Sequence, residues 1–177
     1  MLTCPACAAF ATNGPAEELK EEYVNSGRVS YELRNQIHGP HDLALATLVR
    51  CGAKESLHPL SDQVWMNLQS LLNPIFENQE AVQQSLTLPP EQRLVRLAEI
   101  GGFYEFFKAR GLSEDQARQC LADEAVYTKI AENSDTQSRE LNVTGTPTFF
   151  INGSKIDTGG SAPWDVVEPL LQQAGAR

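Results

Sequence analysis

The apolar residues of this chain change period twice, and that change limits the folds open to it. Val29-Ser30-Tyr31-Glu32-Leu33 alternates apolar and polar, the period of a strand. From about residue 41 to residue 140 the period is helical. Leu43, Ala44, Thr47, Leu48 and Cys51 share one face; so do Val64, Leu68, Leu71 and Leu72, and then Leu94, Leu97 and Ala98. Phe103, Phe106 and Phe107 read as core, and Ser113 with Gln116 reads as a capping-box start. The tail returns to short β runs. Thr148-Phe149-Phe150-Ile151 is followed by Asn152-Gly153, a strong hairpin signal, and residues 154–157 should form the return strand. Residues 163–173, with Trp164, Val167, Leu170 and Leu171 facing in, should close the chain as a helix. Strand pairs at both ends with a helical middle predict a split α/β domain carrying an insertion of roughly 100 residues. Residues 1–40 and 141–177 would form the discontinuous domain, and 41–140 the inserted helical one.

The chemistry sits at the start. Cys4-Pro5-Ala6-Cys7 opens a helix expected to run to Asn25, kinked at Gly14-Pro15 and stopped at Ser26-Gly27. Two residues between the thiols let a disulfide close over one helical turn. The first sulfur then lies over free N–H groups and the positive end of the helix dipole, which favour a thiolate. Its pKa should fall below the free value of about 8.5. The second sulfur can attack a mixed disulfide and release the product. Pro5 suits an early helical position, where its missing N–H is not needed. A lone Cys-x-x-Cys can also be half of a zinc site. The remaining ligands would have to come from Cys51 and Cys120 or from His38, His41 and His58, none at metal-ligand spacing. The histidines read more simply as solvated loop or cap residues, and Cys51 and Cys120 as either inert core thiols or a bridge within the helical block.

A second signal narrows the reading. Gly145-Thr146-Pro147-Thr148-Phe149-Phe150-Ile151-Asn152-Gly153 places a proline at the head of a strand that turns into a hairpin. Together with Cys4-Pro5-Ala6-Cys7-Ala8-Ala9-Phe10, the helix with Pro15, the strand with Tyr31 and Arg34, and the helical insertion, this resembles the DsbA-like thiol oxidoreductases of the thioredoxin superfamily. The resemblance spans nearly the whole chain. It implies a thioredoxin-like fold with Cys4 as nucleophile, Cys7 as resolving thiol, and Pro147 as a cis proline beside the pair. It implies that the Thr146 backbone binds extended substrate by β-augmentation, and that neither cofactor nor metal is required. Similar proteins with a cysteine in each of two helices of the insertion carry a second disulfide, so the resemblance also implies a Cys51–Cys120 bridge. The expected partners are unfolded or thiol-bearing proteins, and a redox partner that resets the Cys4–Cys7 pair. Strongly oxidising relatives have histidine where this chain has Ala6, so Pro5-Ala6 predicts a less depressed Cys4 pKa and a less oxidising disulfide.

One departure is larger. In that superfamily a central strand runs straight into the Cys-x-x-Cys, whereas only three residues precede Cys4 here. A sheet lacking that strand leaves a gap between the Val29 and Thr148 segments. Upstream sequence could supply the strand, the two segments could close up, or a second copy could cover the gap. The first is the expectation, and it predicts that the natural protein is heavier than 19.5 kDa.

Composition excludes some partners. A net charge of −9 repels phosphate backbones and anionic lipid, which argues against nucleic acid and membrane surfaces. No segment is long and apolar enough to span a bilayer. The first residues lack a basic n-region and an apolar h-region, so no signal peptide is read here. A structural bridge besides the redox pair fits an oxidising space, so a periplasmic or exported mature form is expected, with the cytoplasm as the alternative. Two other readings use the same residues. A glutathione-linked transferase or isomerase on the same fold normally has one serine or cysteine in place of the pair. A holdase or an inactive truncated relative would lack exchange activity.

Overall fold

The computed structural model describes residues 1–176. Its regular structure is eleven α-helices, a short π-helix, a short 3-10 helix and one two-stranded antiparallel sheet. The first helix is shorter than its pattern predicts. Helix α1 (Pro5–Thr12) ends at Asn13, Gly14 takes φ 104°, and Pro15 starts a separate helix α2 (Pro15–Glu18). The Gly-Pro pair therefore divides the segment rather than kinking it. Gly14 adopts a left-handed conformation that ends one helix, and the fixed φ of Pro15 suits the first position of the next. Leu19–Val24 then winds as a π-helix, and Gly27 at φ 75° stops it.

Residues 29–33 are a correction. They are not a strand, because no neighbouring strand hydrogen-bonds to them among the described residues; the one sheet joins only β1 (Phe149–Ile151) and β2 (Ser154–Ile156). The alternating pattern marks residues suited to a pleated, half-buried surface, and a ladder still needs a partner. Nor do the Val29 and Thr148 segments close up. A cleft of about 590 Å³ lies between residues 28–34 on one side and residues 146–153 on the other. Phe10, Leu19, Val167 and Leu171 contribute to its lining, and so does Cys7. The hairpin itself forms as its turn residues predict. Asn152 and Gly153 both have positive φ, 49° and 83°, and Phe149 pairs with Ile156.

The insertion is helical throughout: α3 (Pro40–Cys51), α4 (Leu57–Met66), α5 (Leu68–Glu77), α6 (Gln79–Leu86), α7 (Pro90–Ile100), α8 (Phe103–Lys108), α9 (Glu114–Ala122) and α10 (Glu124–Glu140). The Ser113–Gln116 capping box is present in both directions. Helix α3 is buried along most of its length, with Ala44, Leu45, Ala46, Leu48 and Val49 fully inside, and Phe103 and Phe107 are likewise fully buried. These side chains build one apolar cluster, which also contains Leu2, Cys4 and Cys7. A second cluster joins Phe10, Ala16, Leu19 and Tyr23 to Trp164, Val167 and Leu171 of α11 (Pro163–Gln173). Helix α1 thus belongs to both. Its cysteine face packs on the helical block, while Phe10 packs on Phe149 of the hairpin with ring centroids 4.8 Å apart. A Lys20–Asp62 ion pair adds a polar tie between the π-helical segment and α4.

His38 is exposed, whereas His41 and His58 are less solvated than their turn-rich sequence suggests. His58 is half-buried, with its ring centroid 4.8 Å from that of Tyr31, and His41 packs edge-on to Phe76 at 6.3 Å. Burial lowers the pKa of both.

Candidate active site

Cys4 is the N-cap of α1, with extended backbone angles of −88° and 120°. That conformation turns the thiol back over the first turn, where N–H groups have no intrahelical partner. The Cys7 N–H donates to Cys4 Sγ at 3.2 Å. Pro5 occupies the first helical position, and Pro5 and Ala6 are exposed. The side chain of Cys4 itself lies between α1 and the segment preceding β1. Its thiol donates to the backbone carbonyl of Thr146 across 3.4 Å, linking residues 142 apart in sequence. The Thr146–Pro147 bond is cis. The four residues singled out from two distant motifs therefore meet at one place.

The two thiols differ electrostatically. Burial pushes the Cys4 thiol up. Hydrogen bonding from the side chains of Thr146 and Cys7 and from the backbone of Cys7 and Ala6 outweighs it, and the pKa ends below the ordinary value. Cys7 is one turn further into the protein. Burial dominates there and pushes its pKa up to about 12. The shift directions fit one thiol poised to ionise and one that holds its proton. Both cysteines are free and buried.

Cys51 and Cys120 form a disulfide between α3 and α9, with their Cα atoms 6.0 Å apart. The bridge lies in the helical block and contributes no free thiol to the Cys4–Cys7 pair. Among the described residues, no three His, Cys, Asp or Glu side chains converge as a metal-ligand set.

Asp42 is a feature the sequence reading passed over. It sits in the first turn of α3, is fully buried, and accepts hydrogen bonds from the N–H groups of Leu2 at 2.9 Å and Thr3 at 3.1 Å, and from His38 at 3.2 Å. The available signal was an acid three residues after the Gly39 cap, a position that often reaches back to backbone N–H groups. Nothing local could say that the N–H groups would come from the segment leading into Cys4.

A short sheet against helices, a Cys-x-x-Cys at a helix N-terminus and a long helical insertion are the features of a thioredoxin-like fold. The chain belongs to the thioredoxin family, whose sequence profile matches residues 1–167. A Rickettsia conorii protein provisionally named protein-disulfide oxidoreductase is 27% identical over 178 residues, covering 97% of this chain and 56% of its own length. A Rickettsia bellii protein of the same provisional name is 25% identical over 152 residues, covering 85% of this chain and 50% of its own. The chain thus spans about half the length of the curated relatives it matches. Among solved structures, a protein-disulfide isomerase from Novosphingobium aromaticivorans superposes with a TM-score of 0.86 at 27% identity, covering 98% of this chain and 87% of the other.

Proposed function

We propose that this chain catalyses dithiol–disulfide exchange on protein thiols through Cys4 and Cys7. The observation that carries the reading is the Cys4 sulfur held between the Cys7 N–H and the Thr146 carbonyl, with its pKa lowered while that of Cys7 is raised. The names of the relatives and of the solved neighbour support the same class of chemistry.

In the oxidising direction a substrate thiolate attacks Cys4 Sγ of the Cys4–Cys7 disulfide. The new substrate–Cys4 bond forms as the Cys4–Cys7 bond breaks. Cys7 takes the electron pair and then a proton, which its raised pKa favours. A second substrate thiolate attacks the substrate sulfur of the mixed disulfide, and Cys4 departs as a thiolate. The substrate loses two electrons and the Cys4–Cys7 pair gains them; a redox partner then reoxidises the pair. An extended substrate strand is aligned by the Thr146 backbone beside Pro147, and its bulk meets the exposed Pro5 and Ala6. With Ala6 rather than an ionisable residue between the thiols, the disulfide is less oxidising than that of histidine-bearing relatives. The Cys51–Cys120 bridge supports residence in an oxidising, exported compartment.

Insulin reduction and oxidative refolding of a reduced protein test the reading together. Cys4→Ser should abolish both activities, and Cys7→Ala should accumulate mixed disulfides with substrate. Wild-type protein silent in both assays would overturn the proposal, and a reduction potential as high as that of the strongest oxidants would overturn the role given to Ala6.

A further inference from the structure

Asp42 has a place in the site that the exchange chemistry does not use. Its carboxylate is wholly inside the protein, where an ionised group is expensive unless it is hydrogen-bonded. Three backbone N–H groups satisfy it. Oδ1 takes Leu2 and Thr3, the two residues immediately before Cys4, and Oδ2 takes His38 in front of α3. One oxygen therefore grips the turn that ends in the Cys4 cap. The other grips the start of the helix on which Asp42 stands. From the α4 side, Trp65 Nε1 donates to the Met1 carbonyl at 3.3 Å, so the same segment is held at a second point.

We infer that Asp42 is a positioning residue for Cys4: it sets where the N-terminal segment delivers the Cys4 sulfur relative to the Cys7 N–H and the Thr146 carbonyl. This rests on Cys4 being the attacking thiol. Leu2 and Thr3 have their N–H groups fixed by one oxygen atom, and Cys4 follows directly. Its sulfur then makes contacts of 3.2 and 3.4 Å to two different segments. Hydrogen bonds to a sulfur weaken steeply with small displacements, so releasing the segment loosens both at once. The charged groups within electrostatic reach of the carboxylate are the Met1 amine and His41, and the thiol closest to Cys4 is Cys7. A loss of position and a loss of charge can be separated, because they push the Cys4 thiol in opposite directions. Removing a buried negative charge near a thiol favours the thiolate, whereas loosening the Cys7 N–H bond to its sulfur, the contact that favours the ionised form, disfavours it.

Three variants of the full chain make the test, read by the 240 nm absorbance of the reduced protein against pH, by the rate of Cys4 alkylation at pH 7, and by thermal melting. Asp42→Asn keeps an oxygen where Oδ1 stands. Asp42→Glu keeps the charge but moves both oxygens by one methylene. Asp42→Ala removes both. Positioning predicts that Asp42→Asn titrates close to wild type. Asp42→Glu and Asp42→Ala should titrate about one unit higher, with alkylation at pH 7 slower by up to about tenfold. An Asn variant that shifts while the Glu variant does not would assign the effect to charge and overturn the proposal. Lower melting temperatures with an unmoved Cys4 titration in every variant would reduce Asp42 to a structural anchor and overturn it too. If the Ala variant does not fold, the contrast between Asn and Glu decides. The titration needs no substrate, so it stands apart from any failure of the exchange assays.

Discussion

Removing the Cys51–Cys120 bridge should destabilise the fold by several kcal/mol without touching the Cys4–Cys7 pair. The two cysteines are 69 residues apart in sequence, and the bridge ties α3 to α9, which also pack directly on one another. In the chain-entropy model, closing a loop of about 70 residues removes roughly 15 cal/mol/K from the unfolded ensemble, or about 4.4 kcal/mol at 25 °C. The native contacts of α3 and α9 survive in Cys51→Ala/Cys120→Ala, so most of the effect should arise in the unfolded state. The assay is urea unfolding of this double variant against its parent. Both proteins carry Cys4→Ser and Cys7→Ser, so that no free thiol reshuffles the bridge during unfolding. With a slope of about 2 kcal/mol per molar urea for a chain of this size, the midpoint should fall by about 2 M. The slope itself should rise slightly, because an unbridged unfolded chain exposes more surface. A midpoint shift below about 0.5 M would refute the chain-entropy account. It would mean that α3–α9 packing already restrains the ensemble that the bridge is supposed to restrain.

Further outcomes follow from the site and the core. In the reduced protein, iodoacetamide at pH 8 should label Cys4 alone, because the Cys4 pKa is lowered and that of Cys7 is pushed up to about 12; equal labelling of both would contradict the assigned asymmetry. The signs of the linked stability terms are opposite. The Cys4 contribution is present above the unfolded thiol pKa and is lost as pH falls through its lowered folded value. The Cys7 contribution is present below the unfolded value and is lost as pH rises toward about 12. Urea midpoints of the reduced protein should therefore drop above about pH 9 in wild type and less in Cys7→Ala. Gly101→Ala should cost about 1–3 kcal/mol by thermal melting, because its Cβ would lie 2.4 Å from the ring of the fully buried Phe103; an unchanged melting temperature would show that the ring can yield.

Much of the molecule was legible before its structure. The helical block from about residue 41 to 140 rests on apolar residues at helical spacing, and such patterns survive because burial of one face dominates the energetics of a helix. The hairpin was legible because Asn152-Gly153 tolerates two positive φ angles in succession. Residues 29–33 carry a strand pattern yet form no strand, because a strand depends on its neighbour as well as on its own pattern, and the described residues provide none. A Gly-Pro pair permits either a kink or a stop, and here Gly14 at φ 104° with Pro15 opening α2 makes it a stop.

For the site, the sequence by itself determined the chemistry: two thiols one helical turn apart, the first at a helix cap, and a proline opening a strand. Those features act within a few residues, through backbone geometry and the free N–H groups of a helix start. Only the tertiary structure decided what each thiol experiences. It brings the Thr146 carbonyl to Cys4 from 142 residues away, buries Cys7 deeply enough to hold its proton, and sets the Asp42 carboxylate under the N–H groups of Leu2 and Thr3. Burial and long-range hydrogen bonds depend on which surfaces pack together, and no local spacing specifies that.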